Sequence, residues 1–261
     1  MDLGIKNKVA LVLGGGSGLG QAIAMSLASE GCKVVVAGRT ETKLQKTVTQ
    51  IQERGGQAHA IVWDLAQLDQ IDSHFSKIES LWGSVDILVN NTGGPPPTPA
   101  AGQAPQVWLQ KFQEMVLSVI AITDRALPAM KEKRWGRVIT STSSGAIAPI
   151  PNLAISNTLR SSLHAWSKTL AREVAPFGIT ANIIVPGRIA TERIRFLDES
   201  KAQRENRSVE DVMNESLKTI PMGRTGDPAE FAATAAFLAS QPASYITGSV
   251  IRVDGGLISS L

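Results

Sequence analysis

The chain has 261 residues, of which 43% are hydrophobic and 19% charged, a globular composition that excludes extended disorder and is long enough for one large domain. Lys plus Arg total 26 against 23 for Asp plus Glu, a formal net charge of +3, and the basic residues are scattered, without the stripe that a nucleic-acid backbone requires. Cys32 is the only cysteine, which excludes an intrachain disulfide and a thiolate zinc cluster.

No apolar run approaches the roughly 18 residues needed to span a bilayer. The apolar stretch after the first eight residues is only VALVL before glycines begin, too short for the core of a secretion signal. The expectation is therefore a soluble, cytoplasmic protein with neither a membrane nor a nucleic-acid partner.

In chain order, short apolar runs alternate with segments of helical period. VALVL at 9–13 ends in glycines, as a buried parallel strand does. Residues 18–30 carry Leu19, Ala22, Ile23, Ser26 and Leu27 at helical spacing, closed by Gly31. VVVA at 34–37 predicts a second strand, and a polar helix over 41–54 follows. AIVW at 60–63, DILV at 86–89 and RVIT at 137–140 repeat the strand pattern, each after a helical stretch. ITANIIV at 179–185 and SVIRV at 249–253 complete seven strands. Strands separated by helices predict an α/β fold: a Rossmann-type, doubly wound sheet of seven parallel strands with helices on both faces. Neither a linker nor a repeat divides the chain, so one domain over 1–261 is expected. Residues 193–222 are long, charged and without a strand, the profile of a lid over a ligand or of a solvated excursion.

LGGGSGLG follows the first predicted strand, with Gly14, Gly18 and Gly20 in the turn and Ser17 and Leu19 between them. A glycine-rich turn between strand and helix lets the backbone approach a pyrophosphate, whose charge meets the helix N-terminus. At the end of the second strand, where an NAD enzyme carries a ribose-binding carboxylate, the sequence reads Ala37-Gly38-Arg39. Arginine without a carboxylate suits a 2′-phosphate, so NADP(H) is expected over NAD(H). Asp64, with Leu65 beside it, follows the third strand; its carboxylate suits an adenine amino group or the cap of the next helix.

These motifs resemble the short-chain dehydrogenase/reductase family from end to end, in particular its 3-oxoacyl-carrier-protein reductase-like members. Gly14, Gly18 and Gly20 match that family's cofactor turn, although Leu13 stands where the family has Thr. Asn90-Asn91-Thr92-Gly93 is similar to its NNAG element, which adds Asn91 and Gly93 as cofactor-binding candidates. Pro186, Gly187, Ile189 and Thr191 fall in its PG-x-x-x-T element, which holds the nicotinamide carboxamide. The LAREVAPFGIT, GRTGDPAEFA and YITG…VDGG segments are further hallmarks. The resemblance implies a small-molecule substrate and a homo-oligomer, commonly a tetramer.

The family's reaction uses Ser, Tyr and Lys, the last two spaced four residues apart on one helix face, with an upstream Asn. Alignment through LAREVAPFGIT puts the Tyr position on Ser156, the Lys position on Arg160 and the Asn position on Met115. Ser143, thirteen residues before Ser156, is the one member retained. The only tyrosine is Tyr245. A phenol ionises near pH 10 and a neighbouring cation brings that down, whereas an alkanol is far harder to ionise; arginine stays protonated and relays no proton. Halohydrin dehalogenases resemble this family and keep Arg at the Lys position, but they retain the Tyr and abandon the nucleotide turn. The catalytic candidates are therefore Ser143, Ser156 and Arg160, with no metal site. Three readings follow: an NADP(H)-dependent oxidoreductase on a carbonyl or alcohol, a nucleotide-binding homologue without turnover, and a non-redox elimination or isomerisation with Arg160 as anion binder. The proline-rich stretch from Gly93 to Pro99 is expected over the nicotinamide pocket, and His164, two turns beyond Arg160's predecessor Ser156, is expected to pack or be solvated.

Overall fold

A computed structural model describes residues 2–260. Its strands are β1 (Val9–Leu13), β2 (Lys33–Gly38), β3 (Gln57–Val62), β4 (Ile87–Asn90), β5 (Gly136–Ser141), β6 (Ile179–Pro186) and β7 (Val250–Val253). They form one seven-stranded sheet in the order β3-β2-β1-β4-β5-β6-β7, and every pairing is parallel. β1 and β4–β6 are almost entirely buried, because helices cover both faces; this is why they read as unbroken apolar runs.

The helices are α1 (Gly18–Ser29), α2 (Glu41–Glu53), α3 (Ile71–Trp82), α4 (Pro105–Phe112), α5 (Ser118–Lys133), α6 (Ala154–Val174), α7 (Glu192–Glu205), α8 (Val209–Lys218) and α9 (Pro228–Ala239). One core cluster joins α1, α2 and α9 to one sheet face through Ile23, Leu27, Val48 and Phe231. The other joins α3, α5 and α6 to the opposite face through Phe75, Ile78, Met130 and Leu170. The buried thiol of Cys32 sits in the first cluster, its pKa pushed up to about 12 mainly by burial.

Several predicted strand limits move, three of them for identifiable reasons. β3 begins at Gln57, three residues before the predicted start, because this edge strand alternates exposed and buried residues and so lacks an apolar run at its outset. Asp86 lies outside β4: its carboxylate accepts from the Val9 N–H at 2.9 Å and from Lys133 Nζ at 2.8 Å, anchoring the start of β1. Trp63 lies just beyond β3, its N–H donating to the Gly38 carbonyl at 2.8 Å.

Strand order reverses between β1 and β4, and the crevice at the carboxyl ends of the strands there is where open α/β sheets bind ligands. The turn after β1 and the segment after β4 meet in it. The 193–222 segment forms α7, which starts one residue earlier, and α8, both capped by hydroxyls: Thr191 Oγ1 accepts from the Ile194 N–H and Ser208 Oγ from the Asp211 N–H. No described helix is long and apolar enough to cross a membrane.

Candidate active site

A cavity of about 1000 Å³ follows the carboxyl ends of β1, β2, β4 and β5 and reaches under α7 and α8. At one end lies the turn after β1. Gly14 has φ +61°, and a Cβ there would stand 2.7 Å from the Asn91 carbonyl oxygen, so only glycine fits. Asn91 Nδ2 donates to the Leu13 carbonyl at 3.3 Å, lacing the end of β4 to the end of β1. Ser17, Gly18 and Leu19 line the cavity. The Ser17 hydroxyl caps nothing and the first turn of α1 carries no acidic residue, so the positive end of this helix is free to receive an anion. The glycine cradle and open helix end fit the pyrophosphate of a dinucleotide.

Gly20 does not line the cavity. A Cβ there would lie 2.1 Å from the Gly14 carbonyl oxygen, so this glycine permits α1 to close on the turn. Arg39, exposed at the end of β2, lines the cavity with Thr40 and Lys43. Lys43, in the first turn of α2, pairs with Glu192 of α7 at 2.8 Å; no sequence motif singles it out. Asp64 and Leu65 also line the cavity; Asp64 Oδ1 accepts from the Ala66 N–H at 3.1 Å in a local turn, and the residue caps neither the 3₁₀ turn at 68–70 nor α3.

At the other end stand Ser143, Ser156 and Arg160, together with Gly93, Pro186, Gly187, Ile189 and Thr191. Gly187 permits close packing of the β6 end on the segment after β7, since a Cβ would meet Asp254 Cα at 2.5 Å. Ser143 begins a single turn of 3₁₀ helix at 144–146, and its Oγ accepts from the Gly145 N–H at 3.1 Å, leaving its own proton to donate. Ser156 and Arg160 lie on the buried face of α6, one turn apart, at 5% and 7% exposure. The Ser156 hydroxyl has no hydrogen bond among the described residues, and it opens onto the cavity.

Arg160 donates from Nη1 to the Ser141 carbonyl at 3.2 Å and from Nη2 to the Thr92 carbonyl at 2.9 Å and the Gly93 carbonyl at 3.4 Å. Its guanidinium therefore ties α6 to the ends of β4 and β5. Burial and the nearby Arg193 charge push its pKa down to about 10, still cationic at neutral pH.

Met115 packs with Ile155 and Leu159 in a hydrophobic cluster beneath α6, within a π-helical turn at 113–117. The residue that the alignment sets against the family's relay asparagine is a core thioether. Tyr245 is fully exposed and does not line the cavity. His164, expected to pack or be solvated, forms a 2.9 Å hydrogen bond between its Nε2 and the Thr142 hydroxyl, and burial holds its pKa below the usual histidine range.

The proline-rich stretch lines the cavity through Gly93–Pro97 and is pinned to the approach of Ser156: the Thr98 N–H donates to the Asn152 carbonyl at 2.7 Å and the Ala154 N–H to the Thr98 carbonyl at 3.2 Å. Arg193 of α7, which no sequence motif singles out, donates to the Pro95 carbonyl at 2.6 Å. Arg188 donates to both Asp198 carboxylate oxygens at 2.6 Å.

The family model described as enoyl-(acyl carrier protein) reductase matches residues 14–258. The 3-oxoacyl-[acyl-carrier-protein] reductase of Aquifex aeolicus is 31% identical, covering 98% of this chain and all of that protein. An uncharacterized oxidoreductase of Bacillus subtilis, YvrD, is 31% identical with both chains fully covered. The crystal structure of L-sorbose reductase from Gluconobacter frateurii, complexed with NADPH and L-sorbose, superposes with a TM-score of 0.94 at 30% identity over the full length of both chains. Sheet order, glycine turn and full-length similarity agree, and the chain belongs to the short-chain dehydrogenase/reductase family.

Proposed function

We propose that this protein is an NADP(H)-dependent oxidoreductase that interconverts a carbonyl and an alcohol on a small-molecule substrate. The observation that carries the reading is one continuous cavity joining the glycine turn to the uncommitted Ser156 hydroxyl. Two similar structures support it: the L-sorbose reductase and the actinorhodin polyketide ketoreductase, both described with NADPH.

A nicotinamide dinucleotide held in this cavity would supply or accept the hydride. In the reducing direction the carbonyl carbon gains a hydride, its oxygen gains a proton, and alcohol and NADP⁺ result. Gly14, Ser17, Gly18 and Leu19 receive the pyrophosphate, Asn91 fixes the glycine turn, and Gly20 allows α1 to close on it. Arg39 meets the 2′-phosphate, while Asp64 and Leu65 border the adenine. Gly93, Pro186, Gly187, Ile189 and Thr191 enclose the nicotinamide end. Ser143 and Ser156 donate hydrogen bonds to the substrate oxygen. Neither hydroxyl is a practical acid at neutral pH, and a single water molecule is no stronger one, so the proton would come from the acid pool of the bulk solvent through the cavity mouth, with no hydroxide left behind. Arg160 holds the loops after β4 and β5 in register and keeps a positive charge beside the reacting oxygen. Residues 193–222 serve as the lid of a single domain, and the chain assembles as a homo-oligomer, by family resemblance a tetramer.

A second reading, nucleotide binding without turnover, is favoured by the apolar Met115 and the distant Tyr245. Titration with NADPH and with NADH, followed by nicotinamide fluorescence, and then an NADPH-oxidation screen over aldehydes and ketones separate the two. Oxidation with NADPH at least tenfold tighter than NADH supports the reductase. Tight NADPH binding without oxidation of any substrate supports the second reading. Binding of neither dinucleotide refutes both.

A further inference from the structure

The inner half of the cavity carries a charge imbalance that dinucleotide binding at the glycine turn does not account for. Several cations lining the cavity are matched: Lys43 with Glu192 at 2.8 Å, Lys111 with Glu114 at 2.6 Å, Arg188 with Asp198 at 2.6 Å and Lys201 with Glu215 at 3.3 Å. Arg160 and Arg193 have no carboxylate partner among the described residues. Arg160 meets only backbone carbonyls, and its three bonds use three of the five guanidinium N–H donors. Arg193 meets the Pro95 carbonyl and, at 5.6 Å, the Phe196 ring.

Arg160 Nη2 holds the carbonyls of Thr92 and Gly93 and Arg193 Nη2 holds that of Pro95, which sets both guanidiniums against one short segment of the cavity wall; the Arg193 charge pushes the pKa of Arg160 down, and burial lowers that of Arg193 as well. Burying a cation without an anion is costly, and bringing a second cation near it raises the cost. An arriving anion relieves both terms at once. A third group lies in the same segment. Thr92 lines the cavity at 8% exposure, and its hydroxyl is buried without any partner, although its own carbonyl is held by Arg160. Orphaned buried hydroxyls are uncommon and call for a ligand or water.

We propose that Arg160, Arg193 and Thr92 form an anion subsite beside Ser143 and Ser156, and that the substrate is a small oxo acid or the corresponding hydroxy acid. The carboxylate docks between the two guanidiniums with Thr92 Oγ1 donating to it, and the carbonyl oxygen turns to the serine hydroxyls. The assignment of the carbonyl rests on the reductase reading; that of the carboxylate does not. A dinucleotide pyrophosphate is the other source of the same anionic chemistry, so the test separates the two.

The test uses calorimetry on protein saturated with NADP⁺, titrated with pyruvate and acetoacetate and with their neutral methyl esters, so no turnover is needed. The expected result is at least one acid binding tenfold or more tighter than its ester. Arg193→Gln and Thr92→Val each cut that preference to threefold or less, with the affinity for NADPH itself within twofold of wild type. Equal binding of acids and esters, or no binding of either acid at 10 mM (about the weakest interaction that matters for a small substrate), overturns the proposal. Loss of NADPH affinity in Arg193→Gln that matches the loss for the acid also overturns it, because the arginine then serves the pyrophosphate. Carboxylate binding without any NADPH oxidation would leave the subsite standing and refute the reductase reading alone.

Discussion

Arg160→Ala removes a side chain that is 7% exposed and bonded to three backbone carbonyls, and the structure lets the cost be worked out. Hydrogen bonds from a charged donor contribute about 1.5–3 kcal/mol each. The bond at 3.4 Å counts for little. The bonds to Ser141 and Thr92 at 3.2 and 2.9 Å together give roughly 3–6 kcal/mol. Against this stands the burial of an unpaired charge. A pKa lowered from 12.5 to about 10 corresponds to on the order of 3 kcal/mol against the charged form. The difference spans about 0–3 kcal/mol, and its midpoint leaves the guanidinium stabilising by about 1.5 kcal/mol. For a chain of this size that is a melting midpoint lower by roughly 3–6 °C in Arg160→Ala. Scanning calorimetry of wild type and variant without ligand reads this directly. A midpoint equal to or above that of wild type would refute the reasoning: desolvation would then outweigh the carbonyl bonds, and Arg160 would not be what holds the ends of β4 and β5 to α6.

Arg39→Glu replaces one attraction to the 2′-phosphate with a repulsion, so NADPH affinity should fall about 10- to 100-fold while NADH affinity holds or rises; an unchanged NADPH-to-NADH ratio in fluorescence titration removes Arg39 from that role. His164 has a pKa held below its ordinary value by burial, so the folded protein keeps the ring neutral. Below about pH 6.5 the unfolded chain binds the proton first, and stability falls as pH drops through that window. His164→Gln retains a partner for Thr142 and lacks this titration. The wild-type midpoint should therefore decline more than that of the variant between pH 7.5 and 5. His74, displaced in the same direction, is common to both proteins and cancels. Parallel profiles would show that His164 titrates alike in the folded and unfolded states.

The fold was largely legible because its signal is local. A strand buried on both faces must be apolar throughout, and β1 was found at its observed limits, Val9–Leu13. The edge strand β3 was found late because its outer residues, Gln57 and His59, face away from the core. The glycine turn was legible for a related reason: positive φ at Gly14 and Gly18 demands that residue type locally. Gly20 shows the limit, since the same motif includes one glycine that serves packing and not the ligand space. Ser156, Arg160 and Met115 are singled out by an ungapped count back from the LAREVAPFGIT segment, and the structure adds what lies around each: two residues on the buried face of α6 and one in the π-helical turn before α5. Arg193 and Thr92 were not legible. What distinguishes Arg193 from the paired Arg188 five residues earlier is which carboxylates fold near it, and Asp198 reaches only Arg188. The orphaned hydroxyl of Thr92 likewise depends on contacts from α6 that no window of sequence contains.

The first two residues of α7 are tied in opposite directions: Glu192 to Lys43 of α2, and Arg193 to the Pro95 carbonyl beyond β4. Together they lie across the cavity like two latches on one hinge pin. Under the proposed function, a dinucleotide entering the cavity would have to wait for both ties to open, and both could close again over it. Bonds that are broken only during passage and remade afterwards raise the barrier for arrival and departure alike and leave the equilibrium between them untouched. The consequence of that proposal is a matter of timing: the opening turn of α7 would govern how long an occupant stays, and the glycine turn and Arg39 how strongly it is held.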